Sequence, residues 1–119
     1  MAGEAILAFV PDLMFSVRLR EAAANFHCTV SIVSNDQAFI DRLQVVKPSI
    51  VVLDLAAVGP TLESLVRQSK EHGSRVLAYA AHAKRDLVAR AQSAQVDDIY
   101  ASTRFKTDIN SILGKWLLR

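Results

Sequence analysis

Glycine is scarce in this chain of 119 residues: there are four, Gly3, Gly59, Gly73 and Gly114, and none cluster. A dinucleotide fold needs glycines after its first strand so that the backbone can approach a pyrophosphate. Here that turn reads Val10-Pro11-Asp12-Leu13-Met14. A P-loop and the Ser/Thr/Gly-rich phosphate loop of flavin binders are missing too. Cysteine is scarcer still. Cys28 stands alone, which excludes an internal disulfide and predicts a buried, inert thiol. The three histidines, His27, His72 and His82, show no metal-ligand spacing. No run approaches the roughly 18 apolar residues of a membrane span, and no charged segment precedes an apolar one at the N-terminus. A soluble cytoplasmic protein with no membrane partner is the expectation. An excess of one charge is also lacking. The net charge is +2, basic residues alternate with acids, and no aromatic–basic platform offers nucleic acid a surface.

What is present is apolar. Half of the chain is hydrophobic (51%), so one domain over residues 1–119 can bury a proper core. Five strand-like runs start at Ala5, Cys28, Ile50, Arg75 and Asp98. Between and after them lie five helical patterns, at 12–26, 36–46, 61–72, 84–95 and 105–118. Ser34-Asn35 caps the second and Gly73 ends the third. Phe105, Ile109, Ile112, Leu113, Trp116 and Leu117 form one apolar stripe on the last. Alternating strands and helices predict an α/β, three-layer, doubly wound parallel sheet of five strands.

The third strand carries the sharpest signal. Lys47-Pro48-Ser49-Ile50-Val51-Val52-Leu53-Asp54 is apolar without alternation, as in a central strand buried on both faces, and it ends in a carboxylate. Ligands meet such sheets at the carboxyl ends of the strands. An Asp is costly to bury there without a partner or a task. With strand order 2-1-3-4-5, Asp12 after the first strand and Asp54 after the third face the same crevice. Two carboxylates there suit a hard cation such as Mg²⁺. The alternative is that Asp12 caps the first helix and Asp54 accepts backbone N–H groups.

The third-strand segment resembles that of response-regulator receiver domains, with Asp54 at the phosphoacceptor position. Asp97-Asp98-Ile99-Tyr100 and Ala81-His82-Ala83-Lys84 resemble the segments at the fifth strand and fourth helix. The resemblance spans essentially the whole chain and implies the CheY-like fold. It also marks departures. Pro11 replaces one of the two acids after the first strand. Ala80 stands where receivers carry Ser or Thr. Ser102 or Thr103 stands at the lysine position after the fifth strand, with Arg104 and Lys106 off register. Phosphoryl transfer to a carboxylate depends on cations and on charge-assisted contacts, and most of these are lost. The resemblance therefore implies a pseudo-receiver: no enzyme, no cofactor, a signalling module that binds a protein partner without phosphorylation. One alternative is a phosphoaccepting regulator using Asp54 with Mg²⁺. Another is a small-ligand binder or enzyme using the strand-end crevice. The expected partner face comprises Leu87, Tyr100, Ile109, Leu113 and Trp116, with a homodimer as one assembly.

Overall fold

The five apolar runs form five parallel strands, β1 (Ala5–Phe9), β2 (Thr29–Val33), β3 (Ile50–Asp54), β4 (Arg75–Ala80) and β5 (Asp98–Ala101), ordered 2-1-3-4-5 in one sheet. The computed structural model describes residues 4–81 and 83–117. His82 and Leu118 lie outside them. Strand β3 shows why its sequence does not alternate. Ile50 and Val52 pack under one helical layer, Val51 and Leu53 under the other, and all four are buried. Burying such a side chain contributes roughly 1.5–3 kcal/mol.

One layer holds α1 (Leu13–Ala24), α6 (Ser102–Thr107) and α7 (Ile109–Leu117). The other holds α2 (Asp36–Val46), α4 (Leu62–Glu71) and α5 (Arg85–Ser93). Asn35 caps α2 through the Ala38 N–H at 2.8 Å. Gly73 ends α4 with φ +81°, as its position suggested. With few glycines available, His27, Lys47 and Gln95 take left-handed φ values of 58°, 51° and 67° at the ends of α1, α2 and α5. Each such residue costs about 1–2 kcal/mol relative to a right-handed one.

The helix expected at 61–72 is α4, but an unanticipated four-residue helical turn α3 (Leu55–Val58) directly after β3 and a 3₁₀ turn (Gly59–Thr61) precede it. Leu55 and Val58, three residues apart, are both buried, which draws the chain into a helix immediately. The last helix is not continuous. It breaks at Asp108 (φ −103°, ψ 22°) and its first part starts at Ser102 rather than at Phe105. The break lets Phe105 reach the middle of the sheet while Ile109, Ile112 and Leu113 pack beside α1 in the same core.

Both sheet edges are blunted by charge. Thr29 N–H bonds inward to Glu4, so the Val30 carbonyl points outward, where Arg20 donates to it at 2.8 Å. On β5 the Ile99 N–H is held at 2.9 Å by the carboxylate of its neighbour Asp98. Such charged side chains discourage strand addition.

Candidate functional site: a strand-end crevice with its own cation

Strands β1, β3 and β4 end side by side, and their last residues and following turns build the crevice. Asp12 follows β1 as the N-cap of α1, with extended φ/ψ, and accepts the Phe15 N–H at 3.2 Å. That bond first, and the Lys106 ammonium second, hold its carboxyl below the usual range. Asp54 ends β3 and caps α3, accepting the Ala56 N–H at 3.1 Å. Burial pushes its carboxyl up; the Ala56 N–H and the Lys106 charge oppose this more weakly. The capping readings and the shared-crevice reading are thus both realised in the same two residues.

Tyr79 on β4 is in register with Asp54 and only 1% exposed. Its hydroxyl is buried and faces the Asp54 carboxylate, close enough for the two to act on one another but without a hydrogen bond of good geometry. Burial first, then the Asp54 charge, pushes the phenol far up, so it stays protonated at any ordinary pH. Beneath lies an aromatic floor. Phe105 stacks on Tyr79 with centroids 4.9 Å apart, and Phe15 meets both edge-on at 5.7 and 5.8 Å.

The residue the sequence reading set aside as off register is the cation of this site. Lys106 Nζ is 3.2 Å from Asp12 Oδ2 and lies 5.6 and 5.8 Å over the rings of Phe15 and Tyr79. Because α6 starts at Ser102, Lys106 sits one turn above the strand end and returns over the crevice. The signal was present as the Ser102–Lys106 spacing, but it required the helix to begin three residues earlier than the apolar stripe indicated.

The other predicted positions contribute less. Pro11 is exposed in the turn before Asp12. Ala80 is buried against the α5-side core and offers no donor. Ser102 and Thr103 open α6, and among the described residues neither hydroxyl makes a hydrogen bond. No group of three His, Cys, Asp or Glu residues stands together among the described residues. The donor set therefore does not fit Mg²⁺, which demands a near-octahedral oxygen shell. It offers two carboxylates already capping helices, with an ammonium upon one of them.

The predicted partner face also needs correction. Ile109 and Leu113 are core residues, 2% and 0% exposed. Their stripe faces α1 and the sheet, so they present nothing to a partner. Tyr100 is 8% exposed, and its hydroxyl accepts the indole N–H of Trp116 at 3.1 Å. Trp116 is half-buried against the core margin with Arg75 and Lys115 over its ring. Leu87 is half-buried against the opposite core. The large exposed apolar residues lie elsewhere: Leu13, Met14 and Val17 on the first turns of α1, beside Asp12, and Val45 on α2. They fall off the stripe of Phe15, Leu19, Ala22 and Ala23 that α1 buries.

No family model matches the chain, and no curated protein does. Solved structures do. A response regulator from Thermotoga maritima superposes with a TM-score of 0.81 at 16% identity, over 98% of this chain and 99% of that one. A signal receiver domain from Bermanella marisrubri gives 0.80 at 18% identity, over 98% and 99%. A phosphorylated cyanobacterial phytochrome response regulator gives 0.77 at 18% identity, over 98% and 95%. With the sheet order, these establish that the chain has the CheY-like fold of receiver domains. Among the described residues no helix is long and apolar enough to cross a membrane.

Proposed function

We propose that this protein is a pseudo-receiver: a signalling module that works by binding another protein and not by accepting a phosphoryl group. The observation carrying this reading is the commitment of Asp54. Its carboxylate caps the helical turn that follows it, and the cation of the crevice is a lysine of the chain itself. Ala80 supplies no hydroxyl to follow a phosphoryl group, so the differential contacts that a two-state switch needs are few. The exposed turn of Leu13, Met14 and Val17 supports a docking role, because apolar side chains of that size are usually covered when they adjoin one another. No enzymatic activity is included in this reading.

The test is direct. The protein is incubated with Mg²⁺ and a small acyl-phosphate donor, and its intact mass is recorded beside Asp54→Asn. The expected result is an unchanged mass for both folded proteins. One phosphoryl adduct on the unaltered protein alone would replace the proposal with the phosphoaccepting reading at Asp54.

A further inference from the structure

Helix α3 is four residues long, too short to hold itself together. Leu55 and Val58 anchor it from below, but their burial fixes neither the Ala56 N–H nor the far end of the turn. Both ends are held from outside. At the front, Asp54 accepts the Ala56 N–H at 3.1 Å. At the back, the chain leaves the helix at Gly59 with φ +74°, and the Gly59 carbonyl accepts from the Arg90 guanidinium at 3.2 Å. A cation on the last carbonyls of a helix is favourable. Arg90 belongs to α5. Its Nε and Nη2 also grip both carboxylate oxygens of Glu63, on the first turn of α4, at 3.1 and 2.8 Å. Such a fork fixes position as well as charge. One side chain of α5 therefore pins the turn after Asp54 to the start of α4. The Arg90 side chain is one-third exposed and that of Glu63 half-exposed, so an acid arriving from outside can reach the pair.

We infer that Arg90 is a latch: a positioning residue that, from another helix, keeps α3 wound and so keeps the Ala56 N–H on the Asp54 carboxylate. The element with two states is α3 itself, wound or open. The coupling runs both ways. A protein that offers a carboxylate to α5 competes with Glu63 and Gly59 for the guanidinium, and α3 loosens as it does. Asp54 is then released from its cap by an event outside the crevice. Ala80 offers no hydroxyl for such a link, and the Arg90 fork provides one from the other end of the turn. The inference rests on the proposed reading of Asp54 as a committed cap and deepens it, since it names the contact through which a bound protein reaches that residue.

Amide hydrogen exchange and the carboxyl titrations of Asp12 and Asp54 are followed by NMR in the unaltered protein, Arg90→Met, Arg90→Lys, Glu63→Gln and Arg85→Met. Methionine keeps the apolar stem of Arg90 and removes its fork. Arg90→Met is expected to speed exchange at Ala56 and Val58 about tenfold, as the loss of one charged hydrogen bond would. It should also move the Asp54 titration to higher pH, because the Ala56 N–H that opposes burial is loosened, and leave the Asp12 titration in place. Arg90→Lys keeps the charge without the fork and should fall between the two. Glu63→Gln should speed exchange about threefold, and it carries the test should Arg90→Met fail to fold. Arg85→Met, on the exposed first turn of the same helix, should match the unaltered protein. Unchanged exchange and an unmoved Asp54 titration in folded Arg90→Met overturn the inference. So does a rise shared by all helices, which is a general loss of stability. Acyl-phosphate labelling of the unaltered protein would sink the proposed function, and the exchange at Ala56 and Val58 would still decide the latch.

Discussion

Asp12 and Asp54 end adjacent strands of one sheet and do the same local work, yet their surroundings pull them in opposite directions. Each has extended backbone angles and caps the helical turn that follows it. Asp12 is exposed, and its N–H donor and ammonium favour the charged form. Asp54 is half-buried between β1 and β4, so burial outweighs the Ala56 N–H and the charge is disfavoured. The difference lies in strand position. A residue after β1 leads into α1 at the surface, whereas one ending β3 is enclosed by Tyr79 from the neighbouring strand and by the buried Leu55–Val58 turn. Identical side chains with identical capping roles thus acquire different chemistry from the order of the strands.

The largest perturbation of this contrast goes through the floor the two acids share. Phe105 is fully buried, stacks on Tyr79 and touches Phe15, the two rings beneath Lys106. Phe105→Ala is expected to lower stability in urea unfolding by about 3–5 kcal/mol. A loss below about 1 kcal/mol would show that the floor can collapse around the gap. Next comes Tyr79→Phe. It removes a buried hydroxyl without a partner, and such groups cost about 1–3 kcal/mol. The variant should be more stable by about 1 kcal/mol. A variant less stable by that amount would mean that the hydroxyl is engaged with Asp54, and the contrast between the two acids would shrink.

Much of this architecture was legible in the residues. Uninterrupted apolar runs gave the strands, and Ile50 to Leu53 identified the central one. Asp12 and Asp54 were placed at one crevice because strand order brings β1 and β3 together. Lys106 was not legible, because its position depends on where a helix starts. The apolar stripe from Phe105 pointed to one continuous helix, while the chain turns helical at Ser102 and bends at Asp108. The same stripe misled on the partner face. Periodicity tells which residues share a face, not whether the core or solvent meets it, so Ile109 and Leu113 were read as surface and are core. The exposed Leu13, Met14 and Val17 were missed for the converse reason: they follow no stripe at all.

The smallest expected effect is also the one that separates the two acids most directly. The Asp12 carboxyl is held below its ordinary value near 3.8 in the folded protein. It therefore contributes stability above the unfolded-state value of about 3.9, and that contribution is lost as pH falls through the lower folded value. Asp54 runs the other way. Its folded value is raised above 3.8, so the folded protein takes up this proton first. Its burial costs stability at neutral pH, and the cost is relieved as pH falls through the raised value towards 3.9. Asparagine caps helices about as well as aspartate, so Asp12→Asn and Asp54→Asn each delete one titration and keep a cap. Urea midpoints measured from pH 7 to 3 should show both variants differing from the unaltered protein at neutral pH with opposite signs, Asp12→Asn less stable and Asp54→Asn more stable; the Asp54 difference should fade as pH falls towards ~4, and the Asp12 difference only as pH falls below it. Glu63, held low by Arg90, titrates in all three proteins and cancels from the differences. Two difference curves with the same sign and the same pH window would mean that strand position does not set the chemistry of these acids, and that the shared capping role does.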